Sequence, residues 1–195
     1  MPSKLLVATS NKGKLREFKK VLGGIVEIVS PTELSLSPKE IKEGTSYAEN
    51  ALAKAKACRD QFDGLICGED SGLEVDVLGG KPGPLSARYG GEDTSHPEKC
   101  MMLLEELKDV PLYARTARFR ATIALLNGND VETFEGALEG WVGFEYRGTE
   151  GFGYDPIFIP QGFSQTNAEL GLGIKNKISH RAQAIGKLTE YLRSR

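Results

Sequence analysis

The stretch LLVATSNKGKLREFKKVL, residues 5–22, decides the fold. Its first four residues form a short apolar run ending in hydroxyls, the mark of a buried strand. Leu15, Phe18, Val21 and Leu22 then recur at helical spacing, so residues 14–22 are predicted to be an amphipathic helix. Gly23 and Gly24 stop it, and IVEIV, residues 25–29, is the next strand. A strand–helix–strand unit of this kind opens an α/β fold. Between the first strand and the helix lies TSNKGK, dense in hydroxyl, amide and ammonium groups. A strand-to-helix turn aims backbone N–H groups outward beside the positive end of the helix dipole, which makes an anion site. Thr9, Ser10 and Asn11 add neutral donors there, and Lys12 and Lys14 add charge. The plainer alternative is a capped helix carrying solvated lysines. The spacing is not that of a GxxxxGK(S/T) loop.

Working outward, residues 30–45 are polar and proline-bearing, hence irregular. SYAENALAKAKACRDQF is predicted helical, with Ser46 and Glu49 spaced as a capping box and Ala51, Leu52, Ala55, Cys58 and Phe62 on one face. Asn50 and Lys54, four apart, stack beside that face. Short strands are expected at 65–67 and 73–77, and a helix at 97–107. ARFRATIALL and VETFEGALEGWVGFEY alternate as two long strands joined by NGND. GTEGFGYDPIF reads as a loop entering a short strand, and a last helix runs from about 180 to 192 behind Ser179 as N-cap. The expected architecture is a mixed sheet flanked by helices in a single domain spanning residues 1–195.

The bulk chemistry excludes several classes of function. A formal net charge of -2 argues against a general nucleic-acid-binding or membrane-binding surface, though not against a local basic pocket. No apolar run is long enough to span a bilayer, and that in MPSKLLVAT is too short for a signal peptide, so a cytoplasmic protein is expected. The three cysteines, Cys58, Cys67 and Cys100, form no CxxC pair and sit among apolar residues, as buried free thiols do.

Chemistry concentrates in three further places. GEDSGLEVD follows an apolar strand, so Glu69 and Asp70 emerge at a strand end. Adjacent carboxylates are costly there unless a cation or donors neutralise them. Such oxygens suit magnesium, and a carboxylate beside the metal can take a proton from an attacking water. The alternative is a turn whose Asp caps its own backbone. KNKISHR sets Lys175, His180 and Arg181 at or just before a helix N-terminus, where positive charge opposes the dipole and favours an anion or a carbonyl-rich ligand. GFGYDP puts Phe152 and Tyr154 into a glycine-rich loop, either as a stacking slot for a base or as plugs in the core beneath.

Taken together, VATSNKGKLREF, ENALAKA, EDSGLEVDVLGGKPGPLSARY, GFGYDPIF and ISHR resemble the inosine triphosphate pyrophosphatase family across nearly the whole chain and in the family's order. The resemblance implies an elongated, two-lobed α/β fold with the active-site cleft between the lobes, usually in a homodimer. It implies magnesium-assisted hydrolysis of dITP, ITP and XTP to the monophosphate and pyrophosphate. Thr9, Ser10, Asn11, Lys12, Gly13 and Lys14 match the family's phosphate-binding turn, and Lys54 a substrate-contacting lysine. Asp70 matches the proton acceptor and metal ligand, and Ser71 a substrate contact. Phe152, Gly153, Tyr154 and Asp155 match the base-side loop, and Lys175, His180 and Arg181 the purine-recognition residues. Two positions depart from the pattern. Lys42 stands where the family carries a second metal carboxylate, which leaves Glu43, Glu40 or Glu69 to supply it, and Ile174 replaces the usual Glu before Lys175.

Two other functions are kept in view. A Maf-type pyrophosphatase acting on pyrimidine or modified nucleotides tends to carry a serine-proline-arginine-arginine turn after its first strand, which TSNKGK lacks. A non-catalytic nucleotide-binding protein has no need of a carboxylate pair beside a polyphosphate.

Overall fold

The computed structural model describes residues 4–194. Residues 1–3, part of the MPSKLLVAT stretch, lie outside the described residues. The chain divides into two compact units, and each has its own apolar core. Among the described residues seven strands form one mixed sheet, in the order β2-β1-β3-β5-β6-β7, with β4 paired to β3.

Unit 1 comprises residues 1–70, 121–136 and 181–195. β1 (Lys4–Val7) pairs in parallel with β2 (Glu27–Val29) on one side and with the start of β3 (Leu65–Val75) on the other. α1 (Lys12–Leu22) joins β1 to β2. It buries Phe18 and Leu22 against Leu5, Val7 and Ile28, and each such side chain contributes about 1.5–3 kcal/mol. Val21, expected on that face, is exposed instead. α2 (Tyr47–Lys56) packs Ala51 and Ala55 inward, capped by Ser46, whose hydroxyl accepts from Glu49 N. The second half of β5 (Thr116–Asn127) and the first half of β6 (Asp130–Val142), joined by Gly128 and Asn129, add Ile123, Leu125 and Phe134 to the core. α5 (His180–Arg193) adds Ala184, Ile185 and Leu188.

Unit 2 comprises residues 71–120 and 137–180. α3 (His96–Glu106) begins in a full capping box between Ser95 and Glu98. It sends Cys100, Leu103 and Leu104 into a core with Leu73, Phe119, Tyr154 and Phe158. β4 (Lys81–Pro82) pairs antiparallel with β3, and β7 (Phe158–Pro160) with β6. α4 (Asn167–Ile178), also capped by a box, was not expected from the sequence. All three cysteines are free and buried.

β3 is one continuous strand where two short ones were expected. The glycines that look like breaks are close approaches. A Cβ at Gly68 would lie 2.0 Å from Ala51 O of α2, and one at Gly72 would lie 2.1 Å from Gly83 O. Glu69 and Asp70 therefore sit within a strand rather than at its end, and their side chains leave by opposite faces.

Candidate active site

Asp70 is where unit 1 concentrates its polar chemistry. Its Oδ2 accepts from Asn50 Nδ2 at 2.9 Å, and its Oδ1 receives Lys54 Nζ at 2.7 Å. Both donors come from α2, one turn apart, as their spacing required. Lys54 also meets Glu43 Oε1 at 2.5 Å. Burial pulls the Lys54 ammonium down, but Asp70 and Glu43 outweigh it and hold its pKa above the ordinary lysine value. Asn50, buried and conspicuous in the sequence only for its spacing, accepts from Gly44 N at 2.7 Å and donates to Gly44 O at 3.2 Å. It thus fixes the loop that carries Glu43.

On the other face of β3, Glu69 faces two cations. Lys14 Nζ lies 2.5 Å from its Oε2, and Arg181 Nε donates to its Oε1 at 3.0 Å. Arg181 Nη1 reaches Glu17 at 3.0 Å. Burial works against the Arg181 charge, yet the two carboxylates raise its pKa above the usual arginine value. For Lys14 the balance goes the other way. Burial depresses it by more than Glu69 restores, and the charges of Arg181 and Lys54 add to the lowering. Glu69, named from the sequence as a possible metal ligand, faces an ammonium and a guanidinium. Arg181, named as a purine-recognition residue, turns its Nε and Nη1 to acidic side chains, and its guanidinium is buried.

The TSNKGK turn differs from expectation in a similar way. Asn11 caps α1, and its Oδ1 accepts from Gly13 N at 2.9 Å and Lys14 N at 3.1 Å. Asn11 N in turn donates to Thr9 Oγ1 at 3.1 Å. Those backbone N–H groups are satisfied within the chain rather than aimed free at a ligand. With Oδ1 turned to the helix, the donors left to an incoming anion include the Asn11 Nδ2, the exposed Ser10 and Lys12 side chains, and Lys14.

Unit 2 holds the aromatic loop. Asp155 is the hub: its Oδ2 accepts from Phe152 N at 2.8 Å and pairs with Lys175 Nζ, and its Oδ1 accepts from Asn167 Nδ2 at 3.2 Å. Gly151 has φ +86, and a Cβ there would fall 2.2 Å from Asp155 Oδ2, so the loop wraps the carboxylate only with glycine at this position. The Phe152 ring lies over the Lys175 ammonium, 4.5 Å from its centroid, and Gly153 O accepts from Cys100 Sγ. Tyr154, read from the sequence as part of a stacking slot or as a core plug, is a core residue whose hydroxyl donates to Ser86 O at 3.0 Å. Lys175 is in the last turn of α4, where its charge complements the dipole instead of opposing it. His180 opens α5, its ring stacked on Phe119 with centroids 5.0 Å apart. Ser71 follows Asp70 in β3 and is half-buried.

Asp70 and Glu43 have the chemistry magnesium takes from proteins, namely hard carboxylate oxygens held close together. Among the described residues no three His, Cys, Asp or Glu side chains converge as a closed metal cage. That fits an ion which uses one or two carboxylates and completes its shell with substrate phosphates and water. Among the described residues no helix is long and apolar enough to cross a membrane.

The chain is 43% identical over 190 residues to a dITP/XTP pyrophosphatase of Bacillus licheniformis, covering 96% of this chain and 97% of that protein. It superposes on the structure of a HAM1 protein from Coxiella burnetii with a TM-score of 0.91 at 34% identity, covering 99% and 100% of the two chains. Against a nucleoside-triphosphatase, dITP/XTP pyrophosphatase, from Mycobacterium abscessus the TM-score is 0.78 at 38% identity, with 95% and 98% covered. The model of the Ham1 family matches residues 5–191. With that match over nearly its whole length, and with relatives this similar in sequence and fold, the chain belongs to the Ham1 family.

Proposed function

We propose that the protein hydrolyses deaminated, noncanonical purine nucleoside triphosphates (dITP, ITP and XTP) to the monophosphate and pyrophosphate, by attack of water on the α-phosphorus. The observation that carries this reading is the Asp70 carboxylate, held between the Asn50 amide and the Lys54 ammonium with Glu43 on the same lysine. A triphosphate is strongly anionic, so its site must gather donors and cations. Asn11 Nδ2, Ser10, Lys12 and Lys14 bind phosphate oxygens from the α1 end, and Lys54 binds them from α2. Asp70, fixed on both oxygens, accepts the proton of the attacking water, a role worth about 10²–10⁴ in rate. Magnesium, held by Asp70 and Glu43, would supply charge neutralisation at the phosphates. Arg181 keeps Glu69 in place and so positions Lys14.

Base choice falls to the residues that the family resemblance assigns to the purine. The Phe152 ring, braced from one side by Lys175, offers a face on which a purine stacks, and His180 and the loop backbone supply donors. Hypoxanthine and xanthine present a C6 carbonyl where adenine presents an amino group. Donors set for the carbonyl face the adenine amino group donor to donor, and each such mismatch costs about 1–3 kcal/mol. On this reading the enzyme is a cytoplasmic homodimer that clears deaminated purines from the nucleotide pool.

Pyrophosphate release measured on ITP, XTP, GTP, ATP and dTTP, with and without magnesium, tests this reading. ITP and XTP should exceed ATP by about tenfold or more in kcat/KM, and only with the metal. Preference for dTTP would favour a Maf-type activity instead, and binding without turnover a non-catalytic receptor.

A further inference from the structure

The Lys54 ammonium sits in a cradle made entirely of oxygen. Glu43 Oε1 is at 2.5 Å, Asp70 Oδ1 at 2.7 Å and the main-chain oxygen of Glu69 at 3.5 Å. An ammonium has three N–H donors, and three oxygens from two segments of the chain meet them. Two carboxylates and a carbonyl are also what a hard divalent cation seeks. The cradle has a support that does not depend on Lys54: Asn50 grips both polar groups of Gly44, beside Glu43, and the other oxygen of Asp70. Asp70 and the loop that carries Glu43 are therefore held whichever cation the cradle serves. At 2.5–2.7 Å the ammonium and a metal ion cannot share Glu43 Oε1 and Asp70 Oδ1.

We infer that Lys54 is a built-in counter-ion that a divalent cation displaces from the cradle, the freed ammonium passing to the phosphates of the incoming nucleotide. This rests on the phosphate and metal roles proposed above for the same side chains. One positive charge facing two carboxylates leaves a net negative charge, which a divalent ion cancels. The displaced lysine then needs a new anion, and a triphosphate provides one. Metal and nucleotide consequently assist each other, and by linkage each raises the affinity for the other by the same factor. Without nucleotide, Lys54 opposes the metal.

Lys14 provides the control. It carries the same charge near enough for Lys54 to perturb it, but its ammonium rests on Glu69, outside the cradle. Manganese binding to the full-length protein without nucleotide, followed by the loss of the free-ion paramagnetic resonance signal, separates competition from general repulsion. Lys54→Met should bind manganese about tenfold or more tighter than the wild type, because a contacting like charge is gone. Lys54→Gln, which keeps a polar group beside the carboxylates, should show the same direction if Lys54→Met folds poorly. Lys14→Met should change affinity less than about threefold, since its charge acts only from a distance. A non-hydrolysable ITP analogue should tighten manganese binding to the wild type, and that gain should shrink in both Lys54 variants. Unchanged or weaker manganese binding in Lys54→Met and Lys54→Gln overturns the inference, as does equal tightening in Lys14→Met. Because these titrations need no turnover, they stand apart from the pyrophosphatase reading, which is judged by pyrophosphate release from ITP and the other nucleotides.

Discussion

Unit 1 and unit 2 each place lysines against carboxylates, yet they use the pairs differently. In unit 1, Lys14 and Lys54 keep 16% and 19% of their side chains exposed, so an anion can reach them and compete with the carboxylates that hold them. In unit 2, Lys175 and Asp155 keep 3% and 2%, beneath an aromatic ring and with Phe152 N and Asn167 Nδ2 on the same carboxylate. The first kind of pair is suited to exchange and the second to holding a loop in shape. On the proposed reading the same chemical pairing serves phosphate handling in one unit and shape in the other, and exposure separates the two uses.

The contrast breaks most visibly at Asp70. Asp70→Asn keeps the volume and the Asn50 contact but removes the proton acceptor, so kcat should fall about 10²–10⁴-fold while circular dichroism and the melting temperature stay near wild type. Retained turnover would remove Asp70 from the role of base. Next in size is Lys175→Met, which strands Asp155 as a buried, unpaired charge. Urea unfolding should register a loss of about 3–5 kcal/mol. Lys14→Met should cost less stability than that and act chiefly on KM. If both lysines give equal stability losses, the distinction between exchangeable and fixed pairs is wrong.

Phe152→Ala sharpens the comparison from the base side. Losing a stacking face should raise KM for ITP by about 1–3 kcal/mol in binding, roughly tenfold to hundredfold, with kcat little changed. A kcat defect with normal KM would instead place Phe152 in the chemistry. The smallest expected effect is a shift in pH profile. Lys14 binds phosphate when protonated, and burial holds its pKa below the ordinary lysine value. The alkaline fall of kcat/KM, which reports the free enzyme, should therefore begin at lower pH than a free lysine would give. Lys14→Arg, protonated throughout, should push that limb to higher pH. An alkaline limb that does not move assigns the titration to another group.

Much of the fold was legible because it is local. The strand–helix–strand opening and the two long strands around Gly128 follow from periodicity and turn residues alone. β3 was read as broken because Gly68, Gly72 and two acids look like a loop. What keeps it a strand is the approach of Ala51 O and Gly83 O, which no local pattern records. α4 was missed because its apolar pattern is interrupted at Gly171, whose φ of +75 kinks it, while Thr166 and Glu169 still cap its start. In the site, Asn50 and Lys54 could be paired from their spacing, but their meeting with Asp70 could not. Arg181 lies 112 residues from Glu69, and only the tertiary fold turns an apparent ligand donor into a brace for Lys14. The capping of TSNKGK by Asn11 was available as an alternative from the start, and it leaves side-chain donors for the anion site proposed there.

The central claim is that water, activated at Asp70, attacks the α-phosphorus. Hydrolysis of ITP in heavy-oxygen water, with mass spectrometry of both products, tests it most directly. The label should appear in the inosine monophosphate and be absent from the pyrophosphate. Label in the pyrophosphate, or products of cleavage at the γ-phosphorus, would contradict it.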